Sequence, residues 1–465
     1  MPLPYDGNCV MLTYELKKSP GVPLYEALYR CIRSDILSGN LRPGTKLPSK
    51  RALAENLEVS KITVETAYNQ LLSEGYIRSQ EKVGYFVESV ERAAPTPAPV
   101  PAEKVEKSRE LLLDLTGSGT EHFPFSVWTK LQREVMLDYG EGLLLPMPNR
   151  GIPELRRAIA DHLLAFRGMA VDPENILIGA GTDFLYNLLI QLLGRDKTYA
   201  VEEPGYGKIR RIYAAGGVNC ISATLDDFGV RPDSLANAQV LHISPSHHFP
   251  TGLVTPVSRR LELLNWAKDG EKWIIEDDYD SEFRFDSHPK PALQTLDNSR
   301  VIYMNSFSKS LAPSIRISYM VLPRALMAEF QQKLGFYSCT VPSFEQYTLA
   351  RFLSRGYFEK HINRMRKFYK SRRNRVVTAL QSCLLAEKFT ILEMDAGLHF
   401  LLKVDTRIPD AILTEKLEQR GIRILALGHY YHSPGQENSH CFVVNYAGIR
   451  EENIERALEA LNDIM

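Results

Sequence analysis

Several things are scarce in these 465 residues. Cysteine occurs six times, at Cys9, Cys31, Cys220, Cys339, Cys383 and Cys441, without metal-ligand spacing. That scatter excludes a disulfide scaffold and gives no reason to expect a metal site, and isolated thiols fit a reducing cytoplasm. No apolar run is long enough to span a bilayer, so no membrane partner is expected. Met1 to Leu12 lacks a basic segment followed by an apolar core, so no signal peptide is read. Net charge is missing too: Lys+Arg and Asp+Glu both number 56. The whole chain therefore carries no polyanion signature, and any basic surface must be local. What remains is the composition of a soluble globular protein, 44 % hydrophobic and 24 % charged. Its length calls for two or three domains.

The most informative stretch is Val301 to Pro323. Val301 to Met304 reads as a buried strand. It runs into Ser306, Ser308 and Lys309. A lysine at the end of a buried strand is a candidate Schiff-base amine, because desolvation favours its neutral, nucleophilic form. Ser306, Ser308 and Arg316 offer hydroxyls and a cationic fork that together can grip a phosphate. A surface Lys/Arg pair after an ordinary strand is the alternative. The pattern resembles the Ser-x-Ser-Lys…Arg signature of pyridoxal-phosphate enzymes of the aspartate aminotransferase fold.

At the other end, Pro23 to Gly39 spaces Leu24, Leu28, Ile32 and Ile36 as an amphipathic helix stopped by glycine. Leu41 to Gly44 is a turn. Ser49 to Leu57 is a second helix, with Ser49 as N-cap and Leu53 and Leu57 inward. Lys61 to Glu74 is a third, with Val64, Ala67, Leu71 and Leu72 inward and Gly75 as its stop. Tyr76 to Arg78 and Tyr85 to Val87 alternate like two strands of a ribbon. Three helices and a ribbon make a winged helix-turn-helix, whose third helix enters the major groove. A helical dimerisation module is the alternative. Leu47 to Val64 resembles the head of the GntR family of bacterial regulators. The resemblance implies contacts to double-stranded promoter DNA from Ser49, Arg51, Ser60, Lys61 and Thr63, and a wing contact from Lys82 or Gly84. Glu65 stands where relatives often carry a basic residue. It is either an acceptor for a cytosine amino group or a solvated helix face.

Ala93 to Pro101 alternates prolines and favours extended polyproline II. It marks a semi-rigid tether. The expected division is a head at 1–89, a linker at 90–110 and a body at 111–465.

From Leu111 onward, apolar runs alternate with helical patterns, as in an α/β fold. Gly151 to Leu163 begins a helix with Leu155, Ile159 and Leu163 inward. Ile176 to Leu189 reads as strand, glycine turn and helix. The backbone N–H groups around Gly181 and Thr182 can approach an anion there. Tyr206 follows the strand Thr198 to Val201 and can stack on a ring or bond a phosphate. Trp273 to Asp280 is a buried strand ending in acids, which need a cationic partner. A protonated pyridine nitrogen is such a partner, which singles out Asp277, with Tyr279 donating to the ring hydroxyl. An exposed acidic loop is the alternative. Tyr357 to Val377 is rich in Arg and Lys at helical spacing and reads as a solvated face, with a DNA-facing surface on the body as the alternative. The chain from Ala386 onward alternates strands with helices and looks like a small C-terminal α+β lobe.

Glu203-Pro-Gly-Tyr206, Ser246 to Gly252, Ile275 to Phe283 and Phe307 to Pro313 fall in the aminotransferase order. Joined to the GntR-like head, they make the chain similar to the MocR/GabR regulators. The resemblance implies a homodimer with each head against the other subunit's body. It implies an internal aldimine of pyridoxal phosphate on Lys309, and a small amino compound, or the cofactor itself, as the signal. Two departures stand out. Phe249-Pro-Thr-Gly252 replaces the Asn-Pro-x-Gly of working aminotransferases, and no substrate-carboxylate arginine is evident near Cys441 to Tyr446. An aminotransferase-like sensor is therefore expected, and a working aminotransferase with an accessory head is the alternative. In the GABA-responsive regulator two arginines hold the effector carboxylate. Lys208 matches one position; the other has no clear match, and His429, the nearest polar candidate, is either a ligand contact or a structural histidine. A lysine is a point donor and not a fork, which argues against GABA.

Overall fold

A computed structural model describes residues 11–14, 16, 23–89, 111–117, 119, 122–285, 291–392, 397–433, 435 and 439–464. The proline-rich tether at 90–110 lies outside the described residues. The chain divides into two compact units, Met1–Ser108 and Arg109–Met465.

In the first unit, helices span Leu24–Ser38, Lys50–Asn56 and Lys61–Ser73. Gly39 closes the first in a left-handed conformation, φ 84°. Ser49 caps the second, accepting from the Ala52 N–H at 3.1 Å, and Ser60 caps the third in the same way from Thr63. Each cap satisfies an amide the helix itself cannot. The wing is three-stranded. Lys46–Leu47 pairs with Gly84–Val87, which pairs with Ile77–Gln80. The two-residue strand is too short to alternate visibly and was not expected. Leu28, Ile32, Leu53, Val64, Ala67, Tyr68 and Leu71 are fully buried. Leu24, Leu57 and Leu72, expected inward, are only half-buried. Tyr68 takes the interior place expected of Leu72, its hydroxyl donating to the Pro48 carbonyl at 3.0 Å.

The second unit is built on an eight-stranded sheet. Its order is 176–179, 318–321, 301–306, 273–277, 240–243, 198–203, 219–226, 229–230. The four strands at 301–306, 273–277, 240–243 and 198–203 run parallel, as does 219–226 beside them. Ser318–Val321 is antiparallel to both neighbours, which leaves Ile176–Gly179 pointing the same way as the parallel set. The helix Pro153–Arg167 precedes the first of these strands, and helices such as Thr182–Leu193 and Val257–Lys268 connect later ones. Central strands buried on both faces need near-continuous apolar sequence. Val301, Ile302, Tyr303 and Met304 meet that need and are fully buried.

A second sheet, order 389–392, 399–404, 441–445, 425–426, is antiparallel and forms the C-terminal lobe. The long helix Tyr357–Ser382 precedes it. Its Arg/Lys run is not simply a solvated face. Arg372 and Arg373 are 4 % and 6 % exposed, and Arg372 donates to the Ala447 carbonyl at 2.6 Å. A backbone carbonyl as partner cannot be foreseen from helical periodicity.

Candidate functional site

Ligands of open α/β sheets sit beyond the carboxyl ends of the strands. Here those ends surround a cavity of about 980 Å³. It is lined by Thr182, Tyr206, Lys208, Asp277, Tyr279, Ser306, Ser308, Lys309, Arg316 and His429, among others. Every expected cofactor and effector residue except Gly181 is on that wall, and Gly181 is the N-cap of the helix that begins at Thr182.

Lys309 lies in the short helix Phe307–Ser310, directly after the strand Val301–Ser306. Burial pushes its amine pKa below the ordinary lysine value, and the charge of Asp280 works the other way. The result favours a neutral nucleophile. Ser306 caps this turn, accepting from the Ser308 N–H at 3.2 Å. Its hydroxyl lies 3.0 Å from that of Ser308 and 2.8 Å from that of Ser318.

Arg316 adopts φ 51°. Its guanidinium reaches Asp183 at 3.3 Å and occupies the space a Cβ on Gly181 would need, 2.6 Å from Cζ. Gly181 itself sits at φ 88°, ψ 162°, a region essentially closed to other residues. The glycine is therefore required by its own backbone, and a Cβ there would also push the Arg316 guanidinium out of its place.

The acids after Trp273 go three ways. Alternation puts Asp277 on the opposite face from Glu276 and Asp278. Glu276 accepts from the Leu293 and Gln294 N–H groups at 2.9 and 3.0 Å. Asp278 pairs with Arg167 at 2.8 Å and accepts from Tyr303 at 2.7 Å. Asp277 alone of the three lines the cavity. Its Oδ2 accepts from the Tyr186 hydroxyl and lies 3.5 Å from His242 Nε2, whereas its buried Oδ1 has no hydrogen-bond partner among the described residues. An acceptor left open on a cavity wall fits a protonated ring nitrogen. Tyr186, His242 and Tyr213, whose hydroxyl meets His242 Nδ1 at 2.7 Å, were not foreseen. A histidine inside the apolar strand Val240–Ile243 was the available signal.

Tyr279 lies 3.2 Å from His247 Nδ1, which is 2.8 Å from Asp280. Burial pushes the Tyr279 hydroxyl well above its usual range. Burial likewise pushes Glu202, another wall residue, up to about 8, despite the Ser244 N–H it accepts at 2.9 Å. Tyr206 is 51 % exposed and meets Phe249 edge-on, with ring centres 5.9 Å apart. Phe249 also packs edge-on against His399 and Tyr430, so the place of the usual asparagine is an aromatic wall. Lys208 is bound to Asp183 at 2.6 Å, and His429 is exposed, edge-on to Tyr430.

On the first unit, Ser49, Arg51, Ser60, Lys61 and Thr63 gather at the N-terminal ends of two helices. Ser60 and Thr63 share a hydroxyl contact of 2.8 Å, and Arg51 bonds Glu55 at 3.0 Å. Lys82 and Gly84 flank the wing turn, with φ 58° and 136°. Glu65 is 46 % exposed and uses one carboxylate oxygen within the head. It holds Lys50 at 2.8 Å, and the Lys50 ammonium also sits over the Tyr85 ring.

A winged helix-turn-helix and a lysine-bearing turn at the carboxyl edge of a mixed sheet define a regulator head on an aminotransferase-type body. Residues 24–87 match the bacterial regulatory proteins of the gntR family, and 115–461 match aminotransferase class I and II. The uncharacterized HTH-type transcriptional regulator YdeL of Bacillus subtilis is 37 % identical over 97 % of this chain and 98 % of its own. The probable rhizopine catabolism regulatory protein MocR of Rhizobium meliloti is 32 % identical over 96 % and 94 %. The pyridoxine biosynthesis regulator PdxR of Corynebacterium glutamicum is 31 % identical over 93 % and 94 %. Among solved structures, an archaeal alanine:glyoxylate aminotransferase covers 77 % of this chain and 91 % of its own, with TM-score 0.68 and 24 % identity, which shows the fold alone. The chain belongs to the MocR family of HTH-type transcriptional regulators, a GntR-type head fused to an aminotransferase class I and II domain. Those relatives are named as regulators, not as enzymes. Among the described residues, no helix is long and apolar enough to cross a membrane.

Proposed function

We propose that the chain is a pyridoxal-phosphate-dependent regulator that binds promoter DNA as a homodimer and senses a small amino compound at Lys309. The observation that carries this is the Asp277 Oδ1, without a hydrogen-bond partner among the described residues, on the same cavity wall as a desolvated lysine and the Ser306, Ser308 and Arg316 cluster. These residues suit each part of the cofactor. Ser306, Ser308, Arg316 and the amides at Gly181 and Thr182 hold the phosphate. Asp277 pairs with the ring nitrogen, Tyr279 serves the ring hydroxyl, and Tyr206 covers the ring. When bound, pyridoxal phosphate supplies an aldehyde that condenses reversibly with primary amines. An aminotransferase of Thermus thermophilus with this fold, TM-score 0.66, is described in complex with a phosphopyridoxyl amino acid.

The chain's own residues do the rest. Burial biases Lys309 toward its neutral amine, against the pull of Asp280. Lys208 offers a point charge to an effector anion, which must compete with Asp183, and His429 stands at the rim. The signal shifts the heads only through its different affinity for two conformations of the body. A second copy is supported by the large apolar side chains that one segment leaves exposed: Phe125 72 %, Leu137 74 %, Leu144 75 % and Leu145 67 %. The division into a head at 1–89, a linker at 90–110 and a body at 111–465 lets each head rest on the partner's body.

Footprinting on the gene's own upstream region, with and without pyridoxal phosphate and a panel of amines, tests the reading. Protection that changes with an amine only when the cofactor is present supports it. Steady turnover of an amino donor and an oxo-acid at rates of about 1 per second or more would mark a working aminotransferase instead. A second reading, in which the cofactor itself is the signal, is favoured by the relative named for pyridoxine biosynthesis. It predicts a full response to pyridoxal phosphate without any amine.

A further inference from the structure

We propose that Ile62 reads a thymine through its 5-methyl group when the head binds duplex DNA. The inference rests on the promoter-binding reading and adds to it a base and the residue that selects it. The helix Lys61–Ser73 buries Val64, Ala67, Tyr68 and Leu71 completely. Ile62, Thr66, Asn69 and Ser73 follow one another at helical spacing along the opposite stripe. Ile62 is 74 % exposed. Single exposed apolar residues are ordinary on protein surfaces, but this one is the second residue of its helix. In a helix-turn-helix that end of the second helix meets the base edges.

Three of the polar side chains nearest it on the helix already have partners within the head, and Lys61 is left for the phosphates. Glu65 holds Lys50 at 2.8 Å. The Thr66 hydroxyl donates to the Ile62 carbonyl at 2.9 Å. Ser60 and Thr63 bond each other, and Ser60 caps the helix. The tip of the reading end therefore presents a branched aliphatic group. Of the base edges in the major groove, only thymine offers an apolar one, its 5-methyl. A cytosine at the same place would set its amino donor against aliphatic carbon and lose a hydrogen bond to water. Lys61 begins the same helix, Arg51 belongs to the preceding helix and Lys82 to the wing turn, and cations of this kind suit phosphates.

The test uses the full-length protein. Sites are selected from a random duplex pool, and each thymine of the recovered site is replaced in turn by deoxyuridine, which lacks only the methyl. One thymine in each half-site should weaken binding roughly three- to fivefold on replacement, the effect of one buried methyl. Ile62→Ala should bind the thymine and uracil versions equally, with an unchanged unfolding midpoint because the side chain is exposed. Retained DNA with no uracil effect at any position overturns the inference. So does a uracil effect that persists at full size in Ile62→Ala. Failure to retain any duplex at low salt overturns the promoter-binding reading and this inference together, so the two failures are distinguishable.

Discussion

Gly181→Ala is the sharpest perturbation available at the cofactor cavity. Two effects arise from one methyl group, and they separate by assay. The backbone at φ 88°, ψ 162° is nearly closed to residues with a Cβ, which costs about 1–3 kcal/mol of folding stability. The new Cβ would also stand 2.6 Å from the Arg316 Cζ and closer still to Nη2, so the guanidinium must move. That movement is cheap for the fold, because Arg316 is a flexible side chain and 49 % exposed. It is expensive for a phosphate bound there. Losing one charge-assisted hydrogen bond of about 1.5–3 kcal/mol weakens pyridoxal-phosphate binding roughly ten- to a hundredfold. The assay is a cofactor titration followed by absorbance, beside thermal unfolding of the unloaded protein. Arg316→Ala should weaken binding similarly with little change in unfolding. The double variant should bind no more weakly than Arg316→Ala, since both changes remove the same contact. Wild-type affinity in Gly181→Ala, or fully additive losses in the pair, would refute the reasoning.

Other expectations follow from the same interior. Tyr186→Phe removes the hydroxyl that donates to Asp277, leaving a buried carboxylate oxygen unpaired. Unloaded protein should lose about 1–3 kcal/mol in denaturant unfolding, and no loss would contradict that bond's role. His162, stacked on Phe166 and edge-on to Phe358, has its pKa lowered by burial to about 4. Its neutral form fits the fold, so its contribution is whole above pH 6.5 and is lost as the pH falls toward 4. The slope is about 1.4 kcal/mol per pH unit. His162→Phe should flatten the acid limb of the stability curve, and an unchanged limb would count against it. Asp280→Asn removes the charge that raises the Lys309 pKa against burial. The pH midpoint of cofactor capture should move down, and an upward shift would contradict the assignment.

Much of this was legible in the sequence because the signals are local. Caps, glycine stops and apolar spacing place the three head helices within a residue or two. Alternation along a strand, with small residues and a lysine after it, places Lys309 at the carboxyl edge of the sheet. Which of three consecutive acids faces the cavity also follows from alternation once the strand is in register. What stayed hidden depends on distant partners. Tyr186 and His242 support Asp277 from a helix and a strand far along the chain. Arg372 is buried because the Ala447 carbonyl happens to meet it. Glu65 is engaged because Lys50 of the preceding helix reaches across to it. Periodicity identifies the face a residue occupies, not the group that will meet it there.

The central claim is that one buried amine captures the cofactor's aldehyde. Full-length protein should be mixed with a slight excess of pyridoxal phosphate, treated with borohydride to fix any bound aldehyde, and digested for peptide mass analysis. The account predicts one phosphopyridoxyl group per chain, on Lys309, and none at that level in Lys309→Ala. Labelling spread over exposed lysines such as Lys208 and Lys61, with Lys309 unmodified, would contradict it.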